Sequence, residues 1–105
     1  MVKVYGSPMC PDCVRCKKNL DANNLEYEFI DVNQSLRDLK QFLIYRDTLP
    51  IFDHCKEIHD IGLPALVLED GTVTLRWSDY IRSQGGTPLA DLEQGAACSL
   101  DGTGC

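Results

Sequence analysis

The stretch Met9-Cys10-Pro11-Asp12-Cys13-Val14-Arg15-Cys16 limits what this chain can fold into more than any other. Proline has no N–H to lose at a first helical position, and its fixed φ already suits one. A helix that opens at Pro11 therefore puts Cys10 at the N-cap and Cys13 one turn inside. The Cys10 sulfur then faces unpaired backbone N–H groups and the positive end of the helix dipole, which favour thiolate, the reactive form, over thiol. Two cysteines at this spacing on a helix start can close a small disulfide and reopen it, as a thiol–disulfide exchanger must. The same spacing is half of many zinc sites, and Cys16 extends it to Cys-x-x-Cys-x-x-Cys.

The chain has 105 residues, 44% of them hydrophobic, enough for one domain with one core. No leader-like apolar stretch precedes the motif and no run approaches membrane-spanning length, so a cytoplasmic protein without a membrane partner is expected. Of six cysteines, three fall within residues 10–16 and two within the last eight residues. Such clustering staples a fold poorly and points to redox or metal chemistry in a reducing compartment. A formal charge of −6 leaves no basic patch to neutralise phosphates, which argues against nucleic acid as a partner.

Alternating Val2 and Val4 predict a strand over 2–5, which Gly6-Ser7-Pro8 breaks. The motif helix follows over 11–22, with Val14 and Leu20 inward, Arg15, Lys17, Lys18 and Asp21 solvated, and Asn23-Asn24 as an αL stop. Period-two alternation predicts a second strand over 25–32. Strand, helix, strand in this span is a βαβ unit, whose sites lie beyond the C-terminal strand ends, and the cysteines fall there. Ser35 caps a predicted helix over 36–47 with Leu36, Leu39 and Leu43 as its core stripe. After Pro50, Ile51, Cys55 and Ile58 form a shorter stripe on a further helix ending near Asp60. Gly62-Leu63-Pro64 is a hard break, and residues 65–68 read as a strand buried on both faces. Asp70-Gly71 is a hairpin turn, returning over 72–75. Ser78-Asp79 caps a helix to about Gln84, and Gly85-Gly86 ends it. Residues 88–94 form a weak helical piece in a mobile tail, 88–105, that carries Cys98 and Cys105.

The element order, Cys10-Pro11-Asp12-Cys13 at the first helix start and Gly62-Leu63-Pro64 before the third strand together resemble the glutaredoxin branch of the thioredoxin fold, over about residues 1–85 and with the domain taken as 1–87. The resemblance implies an α/β fold of order β-α-β-α-β-β-α, with a four-stranded mixed sheet flanked by helices. It implies that Pro64 is cis and packs beside the cysteines, with the backbone of Leu63 offered to a bound thiol substrate. Pro11, Asp12, Leu63, Pro64, Ser78 and Asp79 are then the substrate-binding residues. Ser78 and Asp79 offer helix-start N–H groups to a carboxylate, while the charge of Asp12 opposes an anionic ligand. No cofactor is implied, with glutathione or a thioredoxin-type or flavoprotein donor as reductant and protein disulfides as targets.

Two functions of different class follow. In the first, an enzyme, Cys10 attacks a protein disulfide or a glutathione mixed disulfide, and Cys13 resolves the intermediate. In the second, a metal or iron–sulfur carrier uses Cys10, Cys13 and Cys16 as ligands. The first needs no extra ligand and uses Pro64, so it is the reading adopted, with no metal assigned. Cys16 is read as a buried small hydrophobe or a third ligand, and Cys55 as core filler. His54 and His59 are read as part of a solvated helix face. Trp77 shields the site or covers the hairpin.

Overall fold

The structure is a computed structural model and describes residues 1–89. Cys98, Cys105 and nearly all of the predicted 88–105 tail lie outside the described residues. Nine short elements follow one another within them: β1 (Val2–Gly6), α1 (Pro11–Ala22), β2 (Tyr27–Asp31), α2 (Leu36–Thr48), a 3-10 turn (Pro50–Phe52), α3 (Asp53–Glu57), β3 (Ala65–Val67), β4 (Val73–Thr74) and α4 (Trp77–Ser83).

The sheet has the order β2-β1-β3-β4. β1 runs parallel to β2, with Val4 opposite Phe29, and antiparallel to β3, with Tyr5 opposite Ala65. β3 and β4 form the predicted hairpin, Leu66 opposite Thr74. Its turn is closed by the Gly71 N–H to the Leu68 carbonyl and by the Asp70 carboxylate accepting from the Thr72 N–H. Gly71 has φ +90°, a conformation that glycine reaches without a Cβ clash. The mixed four-stranded sheet flanked by helices is the α/β architecture that the resemblance implied.

Strand alternation sorts the side chains onto two faces. Val2, Val4 and Leu66 turn to one side, where Cys16 and Leu20 of α1 and Trp77 and Ile81 of α4 cover them. Tyr5 and Ala65 turn to the other, against Phe42 of α2, Phe52 of the 3-10 turn and Leu63. Cys10 and Cys13 belong to this second cluster, so the motif sits where α1 meets the α2 side.

Helix α2 departs from expectation. Its predicted stripe was Leu36, Leu39 and Leu43, yet Leu36 is 77% exposed, Leu43 is also exposed, and Phe42 is fully buried. The inward face carries Leu39, Phe42, Tyr45 and, just past the helix, Leu49. The rings select it: Phe42 meets Phe52 edge-on at 6.0 Å and Tyr45 meets Tyr5 edge-on at 5.9 Å. The next stripe shifts likewise: Ile51 and Ile58 are exposed, whereas Phe52 and Cys55 are buried. Cys55 thus fills the core as expected, and His54 and His59 are solvated. Val14 is only half-buried.

Residues 87–89 are held to α1. Asn23 Oδ1 accepts from the Thr87 N–H at 2.9 Å, and Asn19 Oδ1 accepts from the Leu89 N–H at 2.6 Å.

Candidate active site

A short turn between β1 and α1 positions the motif. β1 ends at Gly6, the Ser7 hydroxyl accepts from the Met9 N–H at 3.1 Å, and the Ser7 carbonyl accepts from the Cys10 N–H at 3.1 Å. This turn sets Cys10 in extended backbone, φ −94° and ψ 116°, as the N-cap of α1. Pro11 follows as the first helical residue and is exposed. The Cys10 Sγ accepts the Cys13 N–H at 3.3 Å, a sulfur taking the place an N-cap oxygen usually fills.

Cys13 is 0% exposed, and burial pushes its thiol up to about 12, with the Ser7 backbone opposing and the charges of Asp12 and Asp31 adding to the rise. Cys16 is equally enclosed, and burial raises it too, followed by the neighbouring Cys13 and Asp12. Cys13, Cys16 and Cys55 are free thiols. Cys10 is 3% exposed. Because Cys13 is a free thiol, the two motif cysteines are not joined to each other in this structure.

The Leu63–Pro64 peptide is cis, and Leu63 joins Cys10 and Cys13 in one cluster. Leu63 thus packs in the cluster of the cysteines, next to the cis Pro64 that the resemblance implied. Gly62, at φ +100°, leads in, and a Cβ there would stand 2.8 Å from the Phe52 ring.

Asp12 and the α4 pair differ from the expectation. Asp12 is 1% exposed and turned inward, accepting from Trp77 Nε1 at 3.4 Å and facing Arg15 at 3.9 Å. Helix α4 starts at Trp77, with Arg76 at the N-cap, so Ser78 and Asp79 lie inside its first turn and do not cap it. Asp79 is exposed between Arg76 at 3.5 Å and Arg82 at 3.4 Å, and Ser78 is buried. Trp77 is fully buried, tying α4 to the motif. Among the described residues no group of three or more His, Cys, Asp or Glu side chains converges as a metal site.

Sequence reasoning missed two residues here. Gly6 does more than end β1, since a Cβ on it would sit 2.9 Å from Cys13 Sγ. Arg46 donates from Nε to the Ile61 carbonyl and from a terminal nitrogen to the Asp60 carbonyl, both at 2.7 Å, and no local pattern announced it.

A family model for glutaredoxin matches residues 2–51, the span that holds β1, the whole cysteine motif, β2 and α2. An uncharacterized protein of Haemophilus influenzae is 38% identical over 72 residues, covering 69% of this chain and 84% of that protein. The chain is a glutaredoxin-related protein of the thioredoxin fold. The glutaredoxin family is in general one of thiol–disulfide oxidoreductases, and in this chain the cysteine pair stands just beyond the carboxyl end of β1. Among the described residues no helix is long and apolar enough to cross a membrane.

Proposed function

We propose that the protein is a dithiol thiol–disulfide oxidoreductase in which Cys10 attacks and Cys13 resolves. The observation that carries this reading is the asymmetry of the pair. The Cys10 sulfur sits at the N-cap and receives a helix N–H, whereas Cys13 is buried behind it and held as a thiol. In the reduced protein the Cys10 thiolate attacks one sulfur of a substrate disulfide. The S–S bond breaks, a mixed disulfide forms on Cys10, and the other sulfur leaves as a thiolate that takes a proton. Cys13 then loses its proton and attacks the Cys10 sulfur, closing Cys10–Cys13 and releasing the second substrate thiol. Two electrons have passed from the pair to the substrate, and an external dithiol or two glutathione molecules return them.

Protein disulfides and glutathione mixed disulfides are the substrate classes, and the cytoplasm, where thiols are kept reduced, is the compartment that suits the cycle. Pro11, exposed beside Cys10, and the Leu63-Pro64 backbone are the proposed substrate contacts. Ser78 and Asp79, in the first turn of α4, are the candidates for an anionic end of the substrate. The inward turn of Asp12 recasts that residue as part of the support of the site rather than a ligand contact.

A turnover assay on a peptide disulfide, run in parallel with glutathione plus its reductase and with thioredoxin plus its reductase, tests the proposal. Turnover with either donor that disappears in Cys10→Ser supports it. Turnover with neither, or activity that survives Cys10→Ser, contradicts it. Anaerobic purification with metal analysis examines the carrier alternative; near-stoichiometric zinc or iron lost on Cys16→Ala would replace the exchanger reading.

A further inference from the structure

The segment that leads into Leu63 is held by one side chain from a different element. Arg46, in the last turn of α2, spans two successive carbonyls, Asp60 and Ile61, with two bonds of 2.7 Å. A guanidinium presents its N–H groups in a rigid plane, so taking both oxygens fixes the peptide plane between them. An ammonium is a point donor and cannot do this. Downstream, the segment is fixed again where Ala65 pairs with Tyr5 of β1. Between these two anchors lie Gly62, Leu63 and Pro64. Phe52 occupies the space beside Gly62 where a side chain would stand. Among the described residues no hydrogen bond engages the backbone N–H or C=O of Leu63, although the residue is packed with Cys10 and Cys13. An extended chain can satisfy such an edge by adding a strand-like pair of bonds.

We infer that Arg46 is a positioning residue for exchange: by fixing the Asp60–Ile61 peptide it aims the Leu63 backbone to pair with an extended polypeptide substrate while the substrate sulfur meets Cys10. The inference rests on the reading of Cys10 as the attacking thiol. It makes the polypeptide backbone flanking a disulfide part of what is recognised, so a small disulfide without a peptide is handled by the cysteines alone.

The test compares wild type, Arg46→Lys and Arg46→Met on two substrates, hydroxyethyl disulfide and a disulfide-linked extended peptide. For the peptide, Arg46→Met raises KM about tenfold, the scale of losing one net hydrogen bond, with kcat within about twofold. Arg46→Lys, which keeps the charge and loses the fork, raises KM in the same direction. Hydroxyethyl disulfide turnover and the alkylation rate of Cys10 stay at the wild-type level, which also shows that each variant is folded. A peptide N-methylated beside its cysteine raises KM for wild type by a similar factor and adds little to Arg46→Met. Equal losses on both substrates, or an unchanged KM for the peptide in both variants, overturn the inference while leaving the cysteine roles standing. A wild-type protein that turns over neither substrate overturns the cysteine roles and this inference together.

Discussion

Gly6 shows how little room the site leaves. A Cβ there would lie 2.9 Å from Cys13 Sγ and 3.0 Å from the Phe29 ring, and neither neighbour is the free end of a long flexible side chain. Cys13 is held on the other side by its own helix. Gly6→Ala therefore has to displace the Cys13 sulfur, and overpacking of this kind costs about 1–3 kcal/mol. Urea denaturation should show that loss, and rapid quenching should show slower release of product from the mixed disulfide with the first attack unchanged. Wild-type stability in Gly6→Ala would mean that the contact relaxes without cost. Asp12 is the complementary case, a charge kept inside by a tryptophan N–H and an arginine.

At the scale of elements, α2 states the physical limit of reading a pattern. Its sequence carries two overlapping apolar stripes, one through Leu36, Leu39 and Leu43 and one through Leu39, Phe42 and Tyr45, and both satisfy helical spacing. The choice is made by rings from β1 and the 3-10 turn, which the helix's own sequence does not contain. Phe42→Ala should cost about 3–5 kcal/mol, as for a buried aromatic, and Leu43→Ala about 1 kcal/mol or less. Chemical denaturation of the two variants checks the order, and a reversal would place the wrong face inward. Elements specified by local chemistry were legible: Pro11 and Cys10 define the start of α1, Asn24 at φ 55° its stop, and Asp70-Gly71 the hairpin. So was the place of the cysteines at the end of β1. What depended on distant partners was not. Asp12 turns inward because of Trp77, 65 residues away, and the Arg46 fork reaches 14 and 15 residues along the chain. The start of α4 was missed by one residue for a related reason: Trp77 is drawn into the core as the first helical residue, which leaves Ser78 and Asp79 inside the helix.

For the molecule as a whole, three buried thiols make stability depend on pH. Burial raises Cys13, from an ordinary value of 9.0 to about 12, and raises Cys16 and Cys55 in the same direction. The folded protein therefore holds these protons more tightly than the unfolded chain. The resulting stability is complete below the unfolded thiol value and is lost as pH rises from about 9 towards 12. Reduced protein should lose unfolding free energy between about pH 8 and pH 10.5, and Cys16→Ala, with one raised thiol fewer, should lose less over that range. Identical slopes would show that the Cys16 proton is held no more tightly in the folded state. The division of labour proposed for Cys10 and Cys13 is tested most directly by trapping. Cys13→Ser, incubated with a peptide disulfide and mapped by mass spectrometry, should accumulate one peptide in mixed disulfide with Cys10, while Cys10→Ser accumulates none. A stable adduct on another cysteine, or full turnover in Cys13→Ser with no adduct on Cys10, would contradict it.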